Sequence, residues 1–192
     1  SEWDYVMYSI NNQPPVANAG TDQTVVVNNQ VQLDGSGSFD PDMNPLTYLW
    51  TEDSGNPQVG ILSSSTIVNP SFTPQIAGTY TFSLVVNDGF VDSAADSVTI
   101  NVQTQTQAIQ GLIDLVETFN LREGIENSLD AKLDAATDAL NDENQNNDTA
   151  AVNSLQAFIN AVKAQRGNKI TNAQADQLIA GAQAIINSLL SS

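Results

Sequence analysis

"TYTFSLVV", residues 79–86, sets the period of the first half of the chain. One face carries Tyr80, Phe82, Leu84 and Val86, and the other Thr79, Thr81, Ser83 and Val85. Successive side chains of a strand point to opposite faces, so this stretch reads as a strand with one face in a core. Working outward, "SVTINV" (97–102), "LTYLW" (46–50), "TVVV" (24–27), "VQL" (31–33) and "TIV" (66–68) share its enrichment in β-branched and aromatic residues. Gly, Pro, Asn and Asp clusters separate them at short intervals. About seven short strands in about 90 residues predict a β-sandwich.

After "NVQTQTQ" the apolar spacing changes to three and four. Ile109, Leu112, Ile113, Val116 and Phe119 form one stripe, and Ile125, Leu129, Leu133, Ala136 and Leu140 a second. Val152, Leu155, Phe158, Ile159 and Val162 form a third, and Ala175, Leu178, Ile179, Ala182, Ile185, Ile186 and Leu189 a fourth. The spacing predicts an all-α bundle of four amphipathic helices. Asp148 is the expected N-cap of the third, Thr171 with Gln174 has capping-box spacing for the fourth, and Gly167 follows the basic end of the third as a C-cap. The expected divisions are an N-terminal arm (1–10), a sandwich (11–102), a polar linker (103–107) and a helical domain (108–192).

The 192 residues hold 22 Asp/Glu against 5 Lys/Arg. Residues 1–103 carry eleven acidic residues and no basic one, a formal charge of −11; residues 104–192 carry eleven acidic and all five basic, giving −6. Such a surface repels nucleic acid and anionic membrane, because phosphate binding needs clustered Lys and Arg. With no Cys and no His, disulfides, thiolate nucleophiles, most zinc sites and imidazole catalysis are excluded. No run of about 18 apolar residues predicts membrane insertion. "SEWDYVMYSI" has neither the basic segment nor the apolar core of a signal peptide.

In "SFDPDMNPLTYLW" (38–50), Asp40, Asp42 and Asn44 place oxygen-bearing side chains at every second position just before a strand. Two readings stand: a polar turn that tolerates the repulsion, or a cation site. An EF-hand loop fails, since Pro45 falls where Gly is needed and Thr51 where Glu is needed. No Lys or Arg in residues 1–103 neutralises these carboxylates, and Asp88 of "VNDG" lies at the end of another strand. "DENQNND" (142–148) also alternates acceptors, but it joins two helical stripes and reads as a solvated loop.

"NNQPPVANAGTDQTV", "VQLDGSGSFDPDMNPLTYLW", "NPSFTPQIAGTYTFSLVVNDG" and "DSVTINV" occur in the order found in the PKD family of immunoglobulin-like domains, which residues 11–102 resemble. "WTEDSGNP" departs from the W-x-F-G-D-G of many members. The helical half, through "IQGLIDLVETFNL", "SLDAKLDAATDAL", "AAVNSLQAFINAVKAQRGNKIT" and "AQADQLIAGAQAIINSL", resembles FIMAH domains. The resemblance implies a secreted or surface protein, of the kind found in bacteria and archaea. It also implies structural Ca²⁺ held by Asp40, Asp42 and Asp88, with Asn12 or a nearby backbone carbonyl completing the shell.

Trp50 and Tyr80 sit where a sandwich has its buried Trp and its corner Tyr, so core roles are expected for both. Asp40 and Asp42 share one turn with no general-acid partner, so no enzyme is expected. The leading expectation is a non-catalytic extracellular structural or adhesive protein. A carbohydrate-binding or spacer module beside polysaccharide-acting enzymes is the alternative, and polysaccharide its expected partner. "WDYVMYSI" is apolar on both faces: Trp3, Tyr5 and Met7 on one, Val6, Tyr8 and Ile10 on the other. Such a strand needs a sheet to cover it. It is expected to be the last strand of a preceding domain, an arm on its own sandwich, or a strand added to a sheet of a neighbouring copy or surface protein, the last of which would build a filament.

Overall fold

A computed structural model of the chain describes residues 12–142 and 148–191. The chain divides into a β unit, up to Val25 and from Gln30 to Val102, and a helical unit, from Gln103 onward together with Val26–Asn29. The β unit contains β1 (Gln23–Val26), β2 (Val31–Gln32), β3 (Thr47–Glu52), β4 (Ser71–Phe72), β5 (Gly78–Asn87) and β6 (Asp96–Gln103). Four strands form one sheet in the order β1-β6-β5-β3, and β2 pairs with β4 in a second. This is the expected immunoglobulin-like sandwich.

β5 runs antiparallel to both neighbours, with Trp50 opposite Leu84 and Phe82 opposite Val98. Its alternation becomes the core: Tyr80, Phe82, Leu84 and Val86 are wholly buried, and Thr81, Ser83 and Val85 between them are partly exposed. Phe72, on β4, brings its ring centroid to 4.8 Å from Phe82 and 5.8 Å from Tyr80, joining the two sheets. Burying such a ring contributes roughly 2–3 kcal/mol before entropy is counted. Trp50 is buried and donates its indole N–H to Ile67 O at 3.2 Å. The Tyr80 hydroxyl donates to Ile76 O, four residues upstream, at 2.8 Å. Both aromatics therefore occupy the expected core positions.

"TIV" is not a strand. Residues 66–68 form exposed bends, and their neighbourhood's carbonyls serve other groups. Ser65 O accepts the Trp50 backbone N–H at 2.7 Å, and Val68 O accepts the Gly35 N–H at 3.1 Å. The segment covers the edge of β3 instead of joining a sheet, and a Cβ on Gly35 would lie 2.7 Å from Val68 O. The strand that forms nearby is Ser71–Phe72, two residues long and too short to show a period.

The helical unit contains α1 (Gln105–Thr118), α2 (Glu123–Asn141), α3 (Asp148–Gln165) and α4 (Asn172–Leu190). The four predicted stripes supply its core, with Leu133, Leu155, Phe158 and Leu178 wholly buried. α3 begins at Asp148 itself, which lies in the first turn. Gly167 takes φ +72° beyond its end, as the C-cap reading requires. Thr171 and Gln174 form the predicted box, at 3.2 Å and 2.9 Å. The predicted linker is corrected. β6 runs to Gln103 and α1 starts at Gln105, so only Thr104 separates them. Thr104 Oγ1 accepts the Gln107 N–H at 3.1 Å and Gln107 Oε1 accepts the Thr104 N–H at 2.9 Å. The same T-x-x-Q device thus turns a polar stretch into a helix start.

Gly181 on α4 meets α1 closely: a Cβ there would lie 2.7 Å from Leu112 Cδ2. Gly181→Val is therefore expected to lower the stability of the helical unit by about 1–3 kcal/mol in denaturant unfolding, because overpacking outweighs the loss of a helical glycine.

Candidate metal centre

The register that pairs Thr47 with Asn87 puts the loop before β3 and the loop after β5 at one end of the sandwich. The first loop is shaped by Asp40. Its Oδ1 accepts the N–H of Asp42 at 2.9 Å and of Asn44 at 3.0 Å, and its backbone carbonyl accepts the N–H of Met43 at 3.1 Å. Met43 is held in the left-handed region at φ +64°, uncommon for a residue with a side chain, and that side chain points into solvent.

The second loop is shaped by Asp88, which is buried. Its Oδ1 accepts the N–H of Phe90 at 2.7 Å and of Val91 at 2.8 Å. Gly89, at φ +93°, makes that turn possible. The segment leading into the sandwich joins the loops. Asn12 Nδ2 donates to Asp88 Oδ2 at 2.7 Å, and Asn12 Oδ1 accepts from Asn44 Nδ2 at 3.2 Å. A continuous chain of hydrogen bonds thus links Asp88, Asn12, Asn44 and Asp40. Asp42 stands outside it. Its carboxylate accepts the Gln13 N–H at 2.6 Å and Gln13 Nε2 at 3.1 Å, fastening the segment next to Asn12.

One atom is left over. Asp40 Oδ2 is buried and has no hydrogen-bond partner, and the residue is only 8% exposed. A buried carboxylate oxygen without a donor is destabilising and rare, and a cation or water is its ordinary explanation. No group of three or more acidic side chains is arranged to hold a metal among the described residues. A cation here would therefore depend on two carboxylates, with amide, backbone and water oxygens completing the shell. All of these are hard oxygen donors of the kind calcium takes, so the donor set fits. Gln13 and Asn44 were not singled out as site residues beforehand. Asn44 carried a signal as the third acceptor of the alternating run, whereas nothing in the sequence marks Gln13. Residues 1–11, including Trp3, Tyr5, Val6, Met7, Tyr8 and Ile10, and residues 143–147 of the second acidic stretch lie outside the described residues.

Two family models match the chain in the expected order. Residues 19–102 match the K319L-like PKD domain, and residues 109–187 match the FIMAH domain. Among curated proteins, the chain is similar to the human dyslexia-associated protein KIAA0319, 39% identical over 108 residues, covering 55% of this chain and 10% of that protein. The mouse KIAA0319-like protein is 32% identical over 113 residues, covering 57% and 11%. The match thus spans about a tenth of these relatives' length. They are mammalian, and they give the expected bacterial or archaeal source no support. The solved PKD domain of the KIAA 1837 protein is 30% identical, covering 46% of this chain and 85% of that one, with a TM-score of 0.40. Neither family description names a catalytic activity.

A second acidic locus, not read from the sequence, lies on α2. Asp130 is partly buried and its Oδ1 has no hydrogen-bond partner. Burial, then the charges of Glu126, Asp134 and Glu117, raise its carboxyl above the ordinary 3.8. Asp88 moves the other way. Burial pushes it up, but the N–H of Val91, the amide of Asn12 and the N–H of Phe90 prevail and hold it below 3.8.

These shifts have opposite consequences. The contribution of Asp88 is complete above the unfolded value and is lost as pH falls through the folded one. The raised Asp130 opposes folding at neutral pH, and that opposition is relieved as pH falls through its folded value. Asp130→Asn is therefore expected to raise the melting temperature at pH 7 and to change it little in acid. Asp88→Asn is expected to lower it at pH 7, with the difference shrinking below about pH 4. Scanning calorimetry across pH reads both.

Proposed function

We propose that this chain is a non-catalytic structural or adhesive part of an extracellular protein, with calcium stiffening the end where the chain enters the sandwich. The buried, unpartnered Oδ2 of Asp40 is the observation that carries the reading. Residues 1–103 contain no Lys or Arg to neutralise it. Asp40 and Asp88 would supply the carboxylates, and Asn12 would offer its amide oxygen. Asp42 would act one step away by holding Gln13. The matched PKD-type domain and the similarity to KIAA0319 support the placement outside the cell. No described helix is long and apolar enough to cross a membrane.

The ion is a stiffener rather than a condition of folding. Extracellular modules hold calcium at about 10⁻⁴–10⁻³ M. At ten times the dissociation constant the gain is about 1.4 kcal/mol. The core of Trp50, Phe72, Tyr80 and Phe82 is complete without it. The same clamp fixes Asn12 and Gln13. Through the strand carried by Trp3, Tyr5, Val6, Met7, Tyr8 and Ile10, the protein would add to a neighbouring copy and build a filament. Removing residues 1–10 should abolish filaments in electron micrographs; filaments that persist count against strand donation.

Polysaccharide recognition is the second reading, favoured by an uncharged polar cavity on the β unit. For the first reading, calorimetry of the intact chain is expected to show heat on millimolar calcium and a rise in melting temperature that a chelator reverses. Asp40→Asn should abolish both. No heat and no shift in the unaltered chain would exclude the site.

A further inference from the structure

The β unit carries a cavity of about 410 Å³ on the side of the β2–β4 pair, far in chemistry from the acidic end. Its polar lining is Gln30, Gln58, Ser63, Ser71, Thr73 and Gln75, and Ile61 and Phe72 supply apolar wall. None of the eight is ionisable, on a unit whose residues 1–103 bear eleven carboxylates and no basic group.

The lining is partly preset. Gln58 Oε1 accepts the N–H of Gln75 at 2.7 Å, the N–H of Ile76 at 3.2 Å and the hydroxyl of Tyr80 at 3.2 Å. Three donors on the oxygen settle which end of the amide is which and leave Nε2 as a fixed donor. Ser63 Oγ accepts the Ser71 N–H at 3.0 Å, so its hydroxyl proton remains to be donated. The side chains of Gln30, Thr73 and Gln75 make no hydrogen bond among the described residues. The cavity thus offers paired amide and hydroxyl donors and acceptors, with no charge to attract an ion and too little apolar wall for a lipid. Its volume lies within the range of small-molecule sites.

We propose that this cavity binds a short neutral saccharide, its hydroxyls meeting the amides of Gln58 and Gln75 and the hydroxyl of Thr73. The inference rests on the carbohydrate-binding reading of the chain and is independent of calcium, because the cavity has no ionic ligand. The amide of Gln75 can meet vicinal hydroxyls with both its oxygen and its nitrogen, Gln58 Nε2 adds a donor, and an anionic sugar would meet a strongly negative unit.

The test uses the intact chain with cellotetraose, xylotetraose and maltotetraose, and with tetragalacturonate as the charged control. Side-chain amide resonances of Gln58 and Gln75 are followed in ¹H–¹⁵N spectra, with chelator and with calcium. At least one neutral sugar is expected to move them with millimolar affinity, equally in both buffers, and tetragalacturonate is not. Thr73→Val with Gln75→Ala should weaken binding at least tenfold without changing the melting temperature, since neither side chain holds the fold. If a sugar binds but leaves these resonances still, or binds the double variant as well, the placement is wrong and the carbohydrate-binding reading survives. If no neutral sugar binds at tens of millimolar, both fail.

Discussion

At the end of the sandwich where β3 begins, one oxygen of Asp40 gathers two backbone N–H groups while the other is buried without a donor. The rest of the acidic end follows from this division. The gathered N–H groups fold residues 40–44 into a tight turn, force Met43 outward at φ +64° and present Asn44 to Asn12. Asn12 carries the connection on to Asp88. A loop set by local hydrogen bonds therefore becomes a junction among three segments distant in sequence.

The junction concentrates negative charge where nothing basic stands nearby. Hydrogen bonds from neutral amides lower the cost of each carboxylate but do not cancel the repulsion between them. Amide donors meet both oxygens of Asp88 and of Asp42, so Asp88 holds its own turn and Asn12 while Asp42 holds Gln13. Of these three carboxylates, Asp40 alone keeps an oxygen with no hydrogen-bond donor. The helical unit has its own unpartnered oxygen at Asp130 Oδ1, and its Arg166 and Asp176 pair at 2.8 Å on the exposed surface, where they contribute little.

Much of the fold was legible because burial imposes a period. The alternation of residues 79–86 survives intact and the centres of the helical stripes are buried, while Ile113, Phe119, Ile125, Leu140, Val152 and Ile179 at their margins keep some exposure, since each pattern marks a face that must leave water. Elements that depend on partners were not legible. "TIV" has strand composition, yet its neighbourhood's carbonyls are taken by Trp50 and Gly35, and the two-residue strand Ser71–Phe72 exists only because β2 lies beside it. The helix start at Thr104 had a readable cap, hidden inside a polar run that looked like a linker. In the acidic site, Asp40, Asp88 and Asn12 were placed by resemblance and do come together. The turning of Asp42 toward Gln13 depends on which way one side chain faces at a turn, and no pattern records that.

The central claim is that Asp40 Oδ2 faces a cation. A calcium titration of the intact chain, followed by nuclear magnetic resonance at the side-chain amide of Asn12 and the backbone N–H of Asn44, tests it at the atoms concerned. Saturable shifts at both, abolished by Asp40→Asn while the spectrum of the sandwich core is unchanged, are the predicted result. Shifts spread evenly over the acidic surface, and equal in the Asp40→Asn variant, would contradict it.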